Sequence, residues 1–178
     1  MKPQGNNIHF ESFYDIGVWK TQVTDIDFND LIEKSYQVKN EVPSVIKSNK
    51  GGYQSEGNLH TNPLFFPLIK PLNDIHSQIT NNPNSKIDSM WLNISSYQDF
   101  NNIHNHGTEL FQLSGVIYLK TPKNSGKIHF CHPMEINLGF PYQPIEGDLL
   151  IFPQMLPHTV EPNLNKEDRI SIAFNFSK

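Results

Sequence analysis

The sequence has very little of three residue types: its 178 residues include one cysteine, one alanine and one arginine. The single cysteine, Cys131, excludes an internal disulfide and a zinc site built on cysteines. We interpret it as a small hydrophobic residue within a strand rather than as a catalytic thiol. Of the 14 basic residues, 13 are lysine, which indicates a coding bias against arginine. Arg169 therefore raises the question of what lysine cannot do at that position.

Long apolar runs and basic clusters are missing as well. No stretch approaches the roughly 18 apolar residues of a membrane span, and the first seven residues have no apolar segment of the signal-peptide type. The net charge is −4, from 14 basic and 18 acidic residues, and no run of lysines suits a phosphate backbone. The sequence therefore predicts a cytoplasmic protein that does not enter a membrane and does not take duplex nucleic acid as its main ligand.

The residues that are present suffice for one domain with a core. Hydrophobic residues make up 37%, and the 10 glycines bring the apolar fraction to about 43%, close to ordinary globular chains. We predict a single domain over residues 1–178. Within it, residues 1–85 are expected to supply an opening strand and helical support, and residues 86–178 the β-rich core.

Two helices are expected in the front half. An opening strand lies within residues 8–24, and Asp27 is positioned to cap a helix that runs to about residue 39. Residues 44–62 have the composition of a long surface loop. A second helix is expected over residues 63–81, with Pro67 and Pro71 as candidate kinks.

The back half is expected to consist of short strands separated by turns. The predicted strands cover residues 86–97, 110–120, 127–131, 148–152, 158–161 and 169–176. Short strands without helices between them indicate a barrel or a two-sheet jelly roll. The predicted fold is therefore mainly β with flanking helices (α+β).

Histidine is the residue type that points to chemistry. His104 and His106 are two positions apart, so on an extended segment both rings point to the same side and suit one metal ion. The alternative is a pair of polar side chains in an asparagine-rich loop. His9, His60 and His76 are interpreted as solvated or structural. The remaining two near the core, His129 and His132, either face solvent or fill a barrel mouth.

The C-terminal segment strengthens the metal interpretation. His158 follows the apolar strand 148–152 closely enough to lie at a barrel mouth, as a third nitrogen donor. Arg169 and Ser171 share one face of the last strand. A guanidinium gives a carboxylate two parallel hydrogen bonds, and a serine hydroxyl adds a third. The pair is thus a candidate receptor for one end of a dicarboxylate, with a surface arginine as the alternative.

These blocks, in this order, resemble the 2-oxoglutarate/iron(II) oxygenases found in marine phages and bacteria. The resemblance covers residues 86–177. It rests on the strings WLN at 91–93, HNH at 104–106, LSGVIYL at 113–119, SGKIHF at 125–130, GDLLIFP at 147–153, His158, and RISIAFN at 169–175. It implies a double-stranded β-helix, a bound Fe(II), 2-oxoglutarate as co-substrate and ascorbate as a supporting reductant.

The resemblance also implies roles for individual residues. His104, His106 and His158 would hold the metal and act as the catalytic centre, and Arg169, eleven positions after His158, would grip the distal carboxylate together with Ser171. Two further residues are carried over to 2-oxoglutarate binding. Asn93 lies eleven positions before His104, and Tyr118 offers a hydroxyl, although a packing tyrosine is the alternative. The implied reaction converts 2-oxoglutarate to succinate and hydroxylates a substrate.

One position departs from the superfamily pattern. The usual facial triad has two histidines and a carboxylate in an HxD or HxE motif, and His106 occupies the carboxylate position. Either His106 completes a three-histidine face, or water completes the metal shell. The nearest spare carboxylate, Glu109, has the wrong spacing for the motif.

Two other functions remain open at this stage. A cupin also binds metal with histidines and a glutamate in a jelly roll but needs no 2-oxoglutarate, and has no use for Arg169 and Ser171. A non-enzymatic jelly-roll binding protein of a phage would carry these histidines incidentally. The primary substrate is unknown, and residues 44–62 and 133–144 are candidate lids. Exposed aromatic residues in the second segment also suit a homodimer contact.

Overall fold

The computed structural model describes residues 8–13, 16–108, 112–132, 135 and 139–177. Within these ranges the chain forms a β-rich fold with two helices. In chain order the elements are β1 (His9–Phe13), β2 (Ile16–Gln22), α1 (Phe28–Glu41), β3 (Asn49–Lys50), β4 (Tyr53–Gln54), two 3-10 turns (Leu59–Thr61 and Pro63–Phe65), α2 (Phe66–Thr80), β5 (Ile87–Ser95), β6 (Phe100–His104), β7 (Leu113–Lys120), β8 (Ile128–Cys131), β9 (Gly139–Tyr142), β10 (Asp148–Pro153), β11 (His158–Val160) and β12 (Arg169–Phe176).

The strands form two antiparallel sheets that pack face to face. The larger sheet has the order β1-β2-β10-β7-β12-β5-β4, and the smaller has the order β3-β6-β11-β8-β9. Side chains from both sheets meet in one apolar cluster, in which Ile128 and Phe130 of β8 pack with Leu150 and Phe152 of β10. Apart from the pairs β1–β2 and β8–β9, neighbours in each sheet are distant in sequence, as in a jelly roll. The predicted double-stranded β-helix is confirmed.

Both helices cover the outer face of the larger sheet. Asp27 caps α1 by accepting a hydrogen bond from the Asp30 backbone N–H at 3.1 Å, and Leu31 and Val38 of this helix are buried. Helix α2 continues past Pro71 and ends at Thr80, and the left-handed backbone of Asn81 (φ 55°) caps its last turn. The helices thereby bury the apolar side of β5, β7, β10 and β12 in a second cluster.

Alternation along β12 determines what faces the space between the sheets. Its even-numbered residues from 170 to 176 are Ile, Ile, Phe and Phe and belong to the outer, helix-covered cluster. The odd-numbered residues therefore point inward, because side chains of a strand alternate between faces. These are Arg169, Ser171, Ala173 and Asn175.

Several sequence-based expectations need correction. The opening strand is a hairpin of two strands, β1 and β2. The predicted surface loop 44–62 contains β3, β4 and a 3-10 turn, and residues 139–142 of the predicted lid form β9. β6 was also missed as a strand. Strands β3, β4, β6 and β9 are short and lie at edges or are polar. They form through pairing with β6, β5, β11 and β8, respectively, so local propensity does not predict them.

The helices give no indication of membrane insertion. In the part of the chain that the structure describes, neither is both long and apolar enough to cross a bilayer.

Candidate metal and co-substrate site

Three histidines converge at one end of the space between the sheets. β6 and β11 are neighbours, and their register places His158 directly opposite His104. His106 follows β6 after one residue, and its backbone N–H donates to the Gln154 carbonyl at 2.8 Å. One ring nitrogen from each histidine lies within 4.8 Å of the other two. The structure thus brings together the three residues that the sequence singled out.

Hydrogen bonds orient each ring with its Nε2 available to the shared space. The Nδ1 atom of His104 is 2.8 Å from the Asn102 carbonyl, and that of His158 is 3.0 Å from the Leu156 carbonyl. The Nδ1 atom of His106 lies 3.1 Å from Oδ1 of Asn175. Because a carbonyl oxygen only accepts, each of these bonds places the proton on Nδ1 and leaves Nε2 as the possible ligand atom.

The environment keeps these imidazoles neutral. Burial lowers the pKa of His104, and burial together with the neighbouring His104 lowers the pKa of His106 to about 4. The pKa of His158 is also held well below its usual value, first by burial and then by the other two rings. Neutral imidazole is the form that binds a metal, so the metal-free site has the right protonation at neutral pH.

The candidate co-substrate residues form a row across three neighbouring strands. Ser171 of β12 pairs with Asn93 of β5 on one side and with Tyr118 of β7 on the other. Burial strongly raises the pKa of the Tyr118 phenol, which therefore stays protonated. Three residues chosen from separate parts of the sequence are thus adjacent on the inner face, and all three line one cavity.

Arg169 is the inward-facing residue of β12 next to Ser171, and only 3% of its surface is exposed. Its Nη2 donates to the Ser95 hydroxyl at 3.2 Å, and Nη1 donates to the carbonyls of Ser125 and, at 3.3 Å, Glu161. Gly126, with φ +92°, allows this approach, since a Cβ there would lie 2.8 Å from Nη1. Burial lowers the pKa of Arg169, although it is partly offset by Tyr118, Asp99 and Glu161.

No carboxylate forms an ion pair with Arg169 within the described residues. A buried guanidinium without a counter-ion is costly unless an anion binds to it. The guanidinium lines the same cavity as the three histidines. The arrangement is therefore suited to an anionic ligand that reaches from Arg169 towards the histidines.

The inner face between Arg169 and the histidines is kept open by a small residue. Ala173 pairs with Trp91 of β5 and with Val116 of β7, and all three line the cavity. Beyond Trp91 and the histidines lies a wider groove of about 790 Å³. A volume of this size suits a small-molecule substrate or a short segment of a polymer.

Other contributors were missed by the sequence analysis. Asn175 contacts His106, Ser95 contacts Arg169, and the Ser48 hydroxyl lies 3.3 Å from Nε2 of His104. Alternation along β12 would have identified Asn175 as inward-facing. Ser48 lies beside β3 in the segment interpreted as a loop, so no sequence signal linked it to the histidines.

The other expectations have mixed outcomes. His76 is buried against Ser85, and its Nδ1 lies 2.6 Å from that hydroxyl, so it is structural. His129 pairs with Glu161 at 2.6 Å. Cys131 is buried in a strand, as expected. Glu109 and residues 133, 134 and 136–138 of the candidate lid lie outside the described residues.

Comparison with known proteins agrees with this geometry. Residues 135–175 match the family described as "Putative 2OG-Fe(II) oxygenase". The match includes His158, Arg169 and Ser171, and it confirms the resemblance to 2-oxoglutarate/iron(II) oxygenases. No curated protein sequence matches the chain.

Solved structures confirm the fold. A prolyl-4-hydroxylase from Pseudomonas putida superimposes with a TM-score of 0.69 at 15% identity, covering 92% of this chain and 93% of that one. The viral collagen prolyl hydroxylase of Paramecium Bursaria Chlorella virus-1, in complex with 2OG, gives 0.67 at 12% identity, covering 90% and 96%. HygX from Streptomyces hygroscopicus, with nickel and 2-oxoglutarate bound, gives 0.66 at 11% identity, covering 89% and 82%.

Proposed function

We propose that this chain is an Fe(II)- and 2-oxoglutarate-dependent dioxygenase that hydroxylates a substrate bound in the wide groove. The observation that carries the proposal is that one cavity holds three converging neutral imidazoles and a buried arginine that has no carboxylate partner among the described residues. A dicarboxylate with a keto group satisfies both, because one end neutralises the guanidinium and the other chelates a metal. The match of residues 135–175 to the oxygenase family supports the same function.

The metal would be held by His104, His106 and His158. Imidazole nitrogens suit Fe(II), and a set of three protein ligands would leave room at the ion for 2-oxoglutarate and oxygen. The buried, neutral state of the rings supports this assignment. His106 takes the place that a carboxylate has in the usual facial triad, so the protein ligands would add no negative charge.

The co-substrate would lie along the inner face of β12. Arg169 binds the distal carboxylate through its guanidinium, whose Nη2 is already oriented by Ser95. Ser171 donates a further hydrogen bond to that carboxylate. Asn93 and Tyr118 flank Ser171 in the same row and offer an amide and a protonated phenol. These four residues would therefore bind 2-oxoglutarate as one continuous surface.

The chain's contribution to the reaction is positioning and exclusion of water. Bound iron supplies oxygen activation, coupled to decarboxylation of 2-oxoglutarate to succinate and to hydroxylation of a substrate C–H bond. Val116, Ile128 and Phe152 give the cavity an apolar wall. This wall limits the access of water to the co-substrate and strengthens the charge pairing with Arg169.

The groove favours a polar substrate. Its lining includes the carboxamides of Gln54, Asn102 and Asn105 beside the half-buried indole of Trp91. Among the described residues, one lysine and one glutamate line it, Lys47 and Glu56. These groups suit hydrogen bonding to hydroxyl or amide groups, and they do not suit a fatty chain or a polyphosphate. We therefore propose a polar substrate of low net charge.

The decisive experiment is a titration under anaerobic conditions. Protein purified without a histidine tag is loaded with Fe(II), and 2-oxoglutarate binding is measured by calorimetry with and without metal. We expect 2-oxoglutarate to bind at least tenfold more tightly to the metal-loaded protein. Metal binding without 2-oxoglutarate binding would favour a cupin-type protein, and no metal binding would favour a non-enzymatic jelly-roll protein.

A variant and a turnover assay complete the test. His158→Ala removes one donor from β11 and should abolish both metal binding and metal-dependent 2-oxoglutarate binding. Exposure of the loaded wild-type protein to oxygen and ascorbate should then yield succinate. A protein that binds both ligands and yields no succinate, even with polar candidate substrates, would contradict the proposed reaction.

A further inference from the structure

A row of polar side chains crosses three strands at the end of the inner face that holds His106. Asn175 of β12 is paired with Ser89 of β5 on one side and with Ser114 of β7 on the other. Ser114 is fully buried. Burying a polar group costs free energy unless it is hydrogen-bonded to another group or to a ligand. The hydrogen bonds made within this row therefore indicate what the row does.

The two serines orient the carboxamide of Asn175. Its Nδ2 donates to the Ser89 hydroxyl at 2.9 Å, and its Oδ1 accepts from the Ser114 hydroxyl at 2.6 Å. Oδ1 also lies 3.1 Å from Nδ1 of His106. With Nδ2 turned towards Ser89, only the oxygen of the amide faces His106. A reversed amide would require both hydroxyls to turn and would present N–H groups to the ring.

His106 needs such a partner because it differs from the other two histidines. Nδ1 of His104 and of His158 bond to backbone carbonyls, which are acceptors in every sequence. The contact of Nδ1 of His106 is instead with a side chain. A carboxylate at position 106 would bind a metal without any choice of tautomer. A histidine there is a ligand through Nε2 only when the proton lies on Nδ1.

We propose that Asn175 is a positioning residue that holds His106 in the Nδ1–H tautomer and thereby allows a histidine to serve at the carboxylate position of the triad. The inference rests on the proposed metal site. The Ser89–Asn175–Ser114 row supports this contact, because each end of the observed amide is bonded to a hydroxyl, and Ser89 alone still holds Nδ2 away from the ring.

The primary test reads the tautomer directly in metal-free protein. Long-range 1H–15N correlation spectra of protein labelled at the histidine rings report which nitrogen carries the proton, and His106→Gln assigns the signal. We expect the proton on Nδ1 in the wild type and on Nε2 in a substantial fraction of Asn175→Leu, which has similar size and no acceptor. The His76 signal, from a ring bonded to Ser85, serves as an internal reference for an intact fold.

Two variants separate positioning from general support. Asn175→Asp keeps an oxygen towards His106 and should retain the wild-type tautomer. Ser114→Ala leaves the Nδ2 contact with Ser89 in place and should also retain it. Zn(II) or Co(II) titration should show an affinity lowered about 10- to 100-fold in Asn175→Leu, as for other residues that orient metal ligands, and within threefold of wild type in the other two.

The outcomes distinguish this inference from the proposed function. A wild-type His106 protonated on Nε2 would overturn the inference, as would an Asn175→Leu variant with unchanged tautomer and metal affinity. If the tautomers behave as expected and no variant or wild type binds metal, the metal site fails while the positioning contact stands. If Asn175→Leu does not fold, the wild-type spectrum and the Asn175→Asp variant still decide the tautomer and its dependence on an oxygen acceptor.

Discussion

Arg169 and Ser95 are cross-strand partners, and Nη2 of the arginine donates to the serine hydroxyl at 3.2 Å. Together with the carbonyls of Ser125 and Glu161, this contact fixes the plane of the guanidinium without using a carboxylate. The N–H groups of Arg169 that are not used in these bonds are therefore held in a fixed direction before any ligand binds. A lysine at this position would have a single nitrogen and no fixed plane, which explains why an otherwise lysine-rich chain has an arginine here.

Replacing Arg169 by lysine should therefore impair co-substrate binding while leaving the metal site intact. We expect the affinity of metal-loaded Arg169→Lys for 2-oxoglutarate to fall at least tenfold, equivalent to about 1.4 kcal/mol, because the bidentate contact is lost. Calorimetry measures the change. Lys166→Arg, on the loop before β12, is the matched control and should bind as the wild type does. Unchanged affinity in Arg169→Lys would contradict the carboxylate role.

The sequence placed the residues of the candidate site on their strands better than it predicted the segments around them. β12 is observed over the predicted residues 169–176, because its strict alternation of large apolar residues with Arg169, Ser171 and Ala173 leaves one possible orientation. The three histidines and the co-substrate row followed from spacing and from the family resemblance. Asn93, Ser171 and Tyr118 are adjacent only because β5, β12 and β7 are neighbours, an order that strand patterns alone do not determine.

The missed features have a common physical cause. Residues 44–62 and 100–104 are polar and rich in serine and asparagine, so local propensity favours turns. In the folded chain their backbone groups pair with β5, β6 and β11. This long-range pairing also brings Ser48 to His104 and closes one wall of the groove. Contacts made across about 40 to 60 residues leave no periodic signal in the segment itself.

Helix α1 is tied to the start of β12 by a half-buried carboxylate, that of Asp168. The Tyr36 phenol donates to Oδ2 of Asp168 at 3.0 Å, and the Ser96 hydroxyl donates to Oδ1 at 2.7 Å. Burial, followed by the bond to Asp168, raises the pKa of Tyr36 to about 12. We expect Tyr36→Phe to lower the free energy of unfolding by about 1–2 kcal/mol, measured by urea denaturation at pH 7.5.

The matched control for this change is Tyr97→Phe. Tyr97 is 55% exposed, so loss of its hydroxyl should alter stability by no more than about 0.5 kcal/mol. Because Ser96 still holds Asp168 in the Tyr36→Phe variant, 2-oxoglutarate affinity should remain within threefold of wild type. Equal stability of the two variants would show that the contact between α1 and Asp168 does not stabilise the fold.

His76 should make the protein sensitive to mild acid. His76 is a buried residue of α2 whose ring stacks on Phe176, and this burial lowers its pKa from 6.5 to about 4. In the unfolded chain this histidine takes up a proton near pH 6.5, whereas in the folded chain it does so only near pH 4. The contribution of His76 to the free energy of unfolding is therefore complete above pH 6.5 and is lost as the pH falls from 6.5 towards 4. The loss assigned to this residue is about 2 kcal/mol between pH 7.5 and pH 5.0.

A comparison of two proteins isolates this contribution. Urea denaturation of the metal-free wild type and of His76→Leu at both pH values gives two losses of stability, and the loss should be about 2 kcal/mol smaller in the variant. The histidines of the metal site titrate equally in both proteins and cancel in the difference. Identical losses would mean that His76 has an ordinary pKa in the folded state.

Ala173, the one alanine of the sequence, should control access to the co-substrate surface. Its side chain points into the cavity between Trp91 and Val116, in the row that separates Ser171 from Asn175. Ala173→Leu adds three carbon atoms to this space without touching a proposed ligand of the metal. We expect 2-oxoglutarate affinity to fall at least tenfold, with Zn(II) affinity within threefold of wild type.

The control is Ala173→Ser, which adds one atom and should bind 2-oxoglutarate within threefold of wild type. Extra methylenes in a packed interior cost about 1–3 kcal/mol, so the melting temperature of the leucine variant must be measured to show that it remains folded at the assay temperature. A folded Ala173→Leu that binds 2-oxoglutarate as tightly as wild type would exclude this stretch of β12 from the binding surface. If Ala173→Leu loses 2-oxoglutarate binding and retains metal binding, the co-substrate lies against residue 173. Only a ligand at that place would collide with the three added carbon atoms.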